Sequence, residues 1–517
     1  MSRSVRHLVL SAIVALALIV RVTALDAYGF SDDESSKVAA IGAYRAGDFS
    51  ANAEHPMLMK LVMWGSVVLS ERWNAIAPVS SRISPETALR LPNAIVGAAT
   101  VIIVYGVVAL LFSAPTALAS AALIGLDPNI TALNRIGKED TFLMFFFFLA
   151  MLCYERAKRV GVTDVAHAKR WYQKAAGCWG LMLASKYMPH FYGLFVLYNV
   201  IDQYDPGPNR PDPGRYYATM AKTFVLANFA VLLPSTWAYC VAYVRARGMT
   251  HHGEMYANQL YVTEFPLSFA GIPFTYYLDL IGMKVPLVVL AAACVGLIPL
   301  VKRRRERGFV WLRVLLVFLV IGYSVFAAKF QRYGLPMLIF VDILAAVGLM
   351  TGIGWIRERI ASRVLSTSMA VAIVALVFAG ITYDLWSVAP FYSVHQNAIG
   401  ARLAAPATRF PEEAYDFGTR EAVAEIATLA GRGAALVTDA PGAVSIYVAR
   451  SGRHDLDVRS LSTEKLPAAG EQWVFVQDDH IYFENQGYIE QLRRQQKPWR
   501  EYRIRNTPVL QVFRVGS

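Results

Sequence analysis

An α-helical polytopic membrane protein with a small α/β unit at its C-terminal end is the fold class this 517-residue sequence predicts. Three observations carry that prediction. Hydrophobic residues make up 56% of the chain and charged residues 17%, where an ordinary soluble domain carries about 25% charged. The apolar residues are gathered into runs near the roughly 20 residues a helix needs to cross about 30 Å of hydrocarbon. After Pro390 the composition turns soluble, and the residues that remain are enough for one small domain.

Taken in order, the first element is a basic N-terminus with Arg3 and Arg6, followed by the apolar run Leu8 to Val20. No small-residue cleavage site follows and more spans lie downstream, which favours a retained signal anchor over a signal peptide. The excess of basic residues on the cytoplasmic side of membrane proteins then leaves residues 26–56 facing outward. Further spans are predicted at 57–73, 89–112, 115–132, 140–154, 175–201, 221–243, 285–301, 312–328, 334–351 and 364–383, about eleven with the first. That count places Lys302-Arg303-Arg304-Arg305-Glu306-Arg307 and the group Arg357, Arg359 and Arg363 inside. One stretch disagrees: 155–174 carries Arg156, Lys158, Arg159, Lys169, Arg170 and Lys174, yet falls outside. Either a short or re-entrant helix between 113 and 201 is miscounted, or the charge rule fails locally. Residues 203–215 form a Pro-rich connector that cannot be the interior of a helix or strand. The predicted division is a membrane domain over 1–383, with external loops at 26–56 and 244–284, and an external α/β domain over 384–517. In the latter, a helical pattern at 419–430 leads into strands at 434–438, 473–476 and 509–513.

The formal charge of +12 lies largely in clusters beside apolar runs, as membrane anchoring requires, and no basic surface with interleaved aromatics points to nucleic acid. Cys153, Cys178, Cys240 and Cys294 fall in or beside apolar segments without CxxC spacing, so they read as packing residues. The glycines of Ala430-Gly431-Arg432-Gly433-Ala434 do not make a phosphate-binding GxGxxG loop.

The chemistry points to the first external segment. Ser31-Asp32-Asp33-Glu34 places carboxylates beside a membrane anchor, and His55-Pro56-Met57-Leu58-Met59-Lys60 follows at the mouth of the next run. The plain reading is a helix start capped by Ser31 or Asp32, with acidic residues suited to its first turn. The sharper one is a general base beside a lipid-linked substrate. A phosphate-activated donor also needs cations or imidazoles for its leaving group, and His55, Lys60, His251, His252, Lys329 and Arg332 are the outward candidates. Basic residues at span ends are also common anchors. Beyond Glu254, His251-His252 has no third ligand at metal spacing, so no metal site is expected. Arg21 near the end of the first span reads as a structural partner of Asp33 or Glu34, or as a phosphate ligand. Arg135 and Asp140 flank a membrane boundary and read equally as a buried ion pair and as site residues. Lys186, a charge in an apolar run, is expected to face a polar cavity.

The order of these pieces resembles the protein O-mannosyltransferases and their bacterial relatives that move sugars from polyprenyl phosphates, including the lipid A aminoarabinose transferases, all of the GT-C fold. The likeness runs over about 8–350. It includes Leu89-Arg90-Leu91-Pro92, the Asn134-Arg135 to Asp140 segment, Ser185-Lys186-Tyr187, His251-His252-Gly253, Tyr276-Tyr277-Leu278, Lys284-Val285-Pro286 and Lys329 to Pro336 with Tyr333. The resemblance implies Asp33 as catalytic base and Glu34 as the neighbour that orients the acceptor. It implies His55, Lys60, Lys329 and Arg332 around the donor phosphate or the acceptor. Met57 and Met59 replace the Pro and Gly of the family's His-Pro-Pro-Leu-Gly-Lys. No repeated β-trefoil insertion fills 244–284, so a protein acceptor is not specifically implied.

The expected activity is transfer of a hexosyl or pentosyl group from a polyprenyl-phosphate sugar to the hydroxyl of a lipid, glycan or protein acceptor. It would occur at the outer face of the cell (inner) membrane, with inversion. No cofactor is expected, because the phosphate leaves already charged. A transporter or flippase of lipid-linked sugars is the alternative; it would show paired inverted repeats and broken helices, neither of which the sequence displays.

Overall fold

The computed structural model describes residues 2–203, 211–245, 251–257, 259–263, 271–326, 329–403, 410, 416–461, 470–477, 481, 483–504 and 507–516. Helix α1 (Arg3–Val22) is followed by two helices before the next long apolar one: α2 (Asp32–Arg45) and α3 (Leu58–Ile76). Then come α4 (Pro85–Leu111), α5 (Ala114–Leu126), α6 (Pro128–Asn134), α7 (Asp140–Gly161), α8 (Val165–Ser185), α9 (His190–Ile201), α10 (Pro213–Ala227) and α11 (Pro234–Arg245). A hairpin of β1 (His251–Tyr256) and β2 (Gln259–Thr263) leads to α12 (Tyr276–Lys284), α13 (Leu287–Lys302), α14 (Arg307–Val325), α15 (Leu335–Arg359) and α16 (Arg363–Val388).

Five helical stretches among the described residues are long and apolar enough to cross a membrane, or up to seven if the bent pairs α5–α6 and α12–α13 each count as one span. The chain is a membrane protein, but that measure does not reach eleven spans. Proline sets both bends: Pro128 opens α6 and Pro286 precedes α13, and neither can donate to a preceding turn.

Three of the predicted spans need correcting; one of them, 221–243, is α10 and α11 parted by a 3₁₀ turn at Phe229–Leu232. The run 57–73 becomes α3, which carries Lys60, Glu71 and Arg72 and is tied at both ends to its own neighbourhood. Lys60 Nζ donates to the Asn52 carbonyl at 2.5 Å, and Glu71 pairs with Arg45 of α2 at 2.8 Å. The run 175–201 is not one span but α8 and α9, broken at Lys186. Lys186, at the end of α8, pairs with Asp140, at the start of α7, at 2.7 Å, so α7 and α8 are antiparallel. Arg307, at the start of α14, reaches Glu155 of α7 at 2.6 Å and Asp202 after α9 at 3.1 Å. The basic stretch 155–174 therefore shares an end of the bundle with the cluster 302–307. With α3 and α8–α9 reassigned, the conflict with the charge rule disappears.

Beyond α17 (Ala398–Leu403) lies the small α/β unit: α18 (Thr419–Leu429), β3 (Ala435–Thr438), α19 (Pro441–Arg450), β4 (Asp457–Ser460), β5 (Gln472–Val476), α20 (Gln486–Gln495), β6 (Arg500–Ile504) and β7 (Thr507–Val515). Strand order is β4-β3-β5-β7-β6, with β3 parallel to β4 and β5, and β7 antiparallel to β5 and β6. The central strands β3 and β5 are buried along their length, and their alternating side chains feed two cores. Val437, Val474 and Phe513 pack with Ile489 and Leu492 of α20. Leu436, Trp473 and Val512 pack with Val423, Ile426 and Val444 of α18 and α19. The second core does not stop at the sheet: it continues into Phe30, Ile41, Met59, Met63, Leu89 and Phe142 of the helical part.

Candidate active site

The first turn of α2 sets the geometry. Ser31 Oγ accepts from the Glu34 amide at 3.3 Å, and the Ser31 amide donates to Glu34 Oε2 at 3.0 Å. This reciprocal capping box turns Glu34 back and inward. Its carboxylate then receives both arms of Arg90, at 2.8 Å and 2.6 Å, and the Gly137 amide at 2.8 Å. Arg90 also donates to the carbonyls of Leu25, Tyr28 and Gly29, so one buried guanidinium ties α4 to the stretch between α1 and α2. Both oxygens of Glu34 are engaged and the side chain is fully buried. This corrects the expected role of Glu34: it fixes the helix start and offers no face to an acceptor.

Asp33, one residue earlier, emerges from that fixed turn on a different face. Lys138 Nζ lies 2.6 Å from its Oδ2 and Arg332 3.4 Å, and 42% of the side chain remains accessible. Burial of its surroundings would raise the Asp33 pKa, but Lys138 and Arg332 hold it well below the usual carboxylate range. Burial lowers the Lys138 pKa, with Asp33 pulling the other way.

Behind this pair sits a second layer. Lys37, one helical turn after Asp33, pairs with Glu139 at 2.7 Å and donates to Asn52 Oδ1 at 2.8 Å. His55 Nδ1 lies 3.9 Å from Glu139, whose Oε2 is buried and has no hydrogen-bond partner among the described residues. Burial keeps His55 well below its ordinary pKa against the pull of Glu139, so the imidazole is neutral. Burial would raise the Glu139 pKa, but the ammonium groups of Lys37, Lys138 and Lys186 hold it well below the usual carboxylate range. Asp140 and Lys186 form the neighbouring pair, with Lys186 Nζ 4.6 Å above the Tyr333 ring. The Arg332 guanidinium lies 5.6 Å from the same ring and 4.1 Å from that of Phe330. Among the described residues, cations Lys37, Lys138, Lys186 and Arg332 thus outnumber carboxylates Asp33, Glu139 and Asp140 by one. That surplus, in a partly desolvated recess, suits an anion.

Asp33, His55, Asp140, Lys186, Arg332 and Tyr333 are therefore brought together, joined by Lys37, Lys138 and Glu139. These three were not singled out in sequence. Lys37 had a signal, its four-residue spacing from Asp33 on a helix. The remaining candidates serve the framework. Arg21 donates to the Ile124 and Gly125 carbonyls at 3.1 Å and 2.8 Å and to Asn134 Oδ1 at 3.0 Å, holding the α5–α6 break. Arg135 donates to the carbonyls of Val20, Arg21, Thr23 and Ala24 at the end of α1. Both satisfy carbonyls left over at helix ends, so they act as caps here. Lys60 gathers the carbonyls of Asn52 and His55 and shapes the loop that presents His55. Lys329 donates to the Ile272 carbonyl at 2.8 Å and to that of Phe326. His251 and His252 lie on β1, but their side chains are outside the described residues. Among the described residues, no group of three or more His, Cys, Asp or Glu side chains could hold a metal ion.

Solved structures share the fold that carries this arrangement. The chain superposes on ArnT from Cupriavidus metallidurans bound to undecaprenyl phosphate with a TM-score of 0.53 and 15% identity, covering 97% of each chain. This is the GT-C fold. The apo form of the same ArnT gives 0.54 at 13% identity, again over 97% of each chain. The oligosaccharyltransferase of Archaeoglobus fulgidus, tethered to an acceptor peptide, gives 0.52 at 10% identity over 88% of this chain and 64% of that one. Residues 74–245, from the end of α3 to α11, match the family described as dolichyl-phosphate-mannose-protein mannosyltransferase. No curated protein matches the sequence significantly. The GT-C fold that the resemblance read from the sequence implies is thus the fold found, and the family match falls within the stretch that carried the resemblance.

Proposed function

We propose that this membrane protein transfers a sugar from a polyprenyl-phosphate donor to an acceptor hydroxyl, with inversion, at the outer face of the cell membrane. One observation carries the reading: Asp33 presents an accessible carboxylate from a rigid helix start, between Lys138 and Arg332, in a recess with surplus positive charge. In the proposed step the acceptor oxygen attacks the anomeric carbon from the side opposite the phosphate. A new C–O bond forms as the carbon–phosphate oxygen bond breaks, the proton passes to Asp33, and the bonding pair departs with polyprenyl phosphate.

The resting Asp33 is a weak base, because two cations stabilise its charge. Lys138 and Arg332 are also the nearest cations an incoming phosphate would meet. Sharing them with the donor raises the basicity of Asp33 when a substrate is present, and leaves it quiet otherwise. Support for the outward orientation comes from the basic stretches 155–174 and 302–307, which lie together at the end of the bundle away from Asp33.

Purified protein incubated with radiolabelled polyprenyl-phosphate sugars tests the reading. Transfer, or slow hydrolysis of the donor, is expected from the wild type, and movement of intact donor across vesicles without bond cleavage would point to a transporter instead. Asp33→Asn should lose transfer by about 10²- to 10⁴-fold while still binding donor. Wild-type turnover in that variant would overturn the assignment. For orientation, Arg432→Cys in a background lacking the four native cysteines should react with an impermeant maleimide on intact cells.

A further inference from the structure

The C-terminal unit grips the stretch that leads into α2. Tyr447 of α19 stands at the centre: its hydroxyl accepts from the Phe30 amide at 2.6 Å and donates to Glu86 Oε1 at 2.8 Å. Glu86, in the first turn of α4, is buried and also pairs with Arg450 at 2.8 Å. Asp416 Oδ2 accepts from the Asp32 amide at 2.7 Å, in the first turn of α2, where amides have no partner within the helix. Arg420 donates to the Asp26 carbonyl at 2.9 Å and to that of Ala27 at 3.4 Å.

Two glycines mark how closely the parts approach. A Cβ at Gly29 would lie 2.9 Å from both Arg420 Cβ and Tyr447 Oη. A Cβ at Gly442 would collide with Ser35 Oγ and come within 3.0 Å of Asp32 Oδ1. Asp416 itself holds φ at +56°, a conformation that costs free energy for a residue other than glycine and persists only where its surroundings impose it. The core shared by Val423, Val444 and Trp473 with Phe30, Ile41 and Met63 makes the contact continuous in its apolar part as well.

We propose that the C-terminal unit positions Asp33, with Tyr447, Asp416 and Arg420 as positioning residues that act through the start of α2. This rests on the reading of Asp33 as the group that takes the acceptor proton. The physical reason is geometric. Glu34 and Arg90 fix the inner side of the turn, whereas the amides of Phe30 and Asp32, on either side of the Ser31 cap, donate to Tyr447 and Asp416 of the C-terminal unit at 2.6 Å and 2.7 Å. Releasing them lets the turn carrying Asp33 shift relative to Lys138 and Arg332, and small shifts at a reacting centre are costly to rate.

Full-length Tyr447→Phe, Asp416→Ala and Asp416→Asn variants test this by two independent readouts. Hydrogen exchange at the amides of residues 30–35 should speed up by on the order of 10-fold or more in Tyr447→Phe and Asp416→Ala. Asp416→Asn should stay near wild type, because its amide oxygen still accepts from Asp32. In transfer assays the two loosened variants should lose on the order of 10- to 100-fold in kcat with little change in donor KM. Combining either with Asp33→Asn should cost no more than Asp33→Asn alone, a non-additivity that mere loss of folded protein would not give. Unchanged exchange, unchanged kcat despite faster exchange, or full additivity with Asp33→Asn would overturn the proposal. Were the wild type itself inert with every donor, the sugar-transfer reading would fall, and exchange alone would then decide whether the C-terminal unit braces α2.

Discussion

The two ends of the helical bundle both carry buried ion networks, built on different terms. At the basic end, Glu155 and Asp202 meet Lys158 and Arg307 at separations of 2.6 to 3.7 Å, two charges of each sign. That network joins α7, α14 and the end of α9, and its described members balance. Around Asp33 at the other end, four cations face three carboxylates among the described residues, and 42% of the Asp33 side chain is accessible. Balance staples helices together; imbalance with an opening prepares a place for an anion. The same contrast recurs within two residues: Glu34 is consumed by Arg90 and Gly137, whereas Asp33 is left accessible.

That comparison can be broken by experiment. The largest effect expected is on rate: the loss of about 10²- to 10⁴-fold for Asp33→Asn, with donor affinity kept, separates the two adjacent acids. Glu34→Gln should act instead on stability, by about 3–5 kcal/mol, because Arg90 is left as a buried charge without its counterion. Thermal unfolding in detergent would register it, and a variant with full stability but lost transfer would reverse the roles assigned to the pair. Glu155→Gln, at the other end, should cost about 1–3 kcal/mol and leave the turnover of the folded fraction unchanged. A specific loss of kcat there would mean that the ends are not functionally distinct.

The smallest effect concerns pH. Burial holds His55 neutral, its folded pKa below the unfolded value. Its contribution to stability is therefore present above about pH 6.5 and is lost as the pH falls below that, since the unfolded chain takes up a proton the folded site refuses, by at most about 1.4 kcal/mol per pH unit. The unfolding midpoint of the wild type should drop more between pH 7 and pH 5 than that of His55→Gln. Equal slopes would show that His55 is not shielded.

Charge in an apolar setting is costly, so the sequence made Asp33, Lys186 and Arg332 stand out, and the structure gathers them. It made Arg21 and Arg135 stand out for the same reason, although both answer a different need, the carbonyls at helix ends. Composition cannot tell a ligand from a cap, because either use repays burying a guanidinium. The distinction between Asp33 and Glu34 was legible in principle: Ser31 and Glu34 have the spacing of a capping box, which turns the glutamate back on its own helix. Helix α3 was misread because its apolar run hides three charges, of which Lys60 is tied to the carbonyls of Asn52 and His55 and Glu71 to Arg45. In the C-terminal unit α18, β3, β5 and β7 follow their apolar patterns, while the edge strands β4 and β6 are too exposed and charged to announce themselves.

The hydrogen bond between Phe30 and Tyr447 spans 417 residues of sequence. At about 5–20 residues per second, roughly 20 to 80 s of translation separate the acid from the clamp that aims it. If the C-terminal unit aims Asp33 as proposed, a nascent chain already threaded into the bilayer would hold that acid unbraced throughout synthesis, and prematurely terminated products would be idle rather than wasteful of activated lipid.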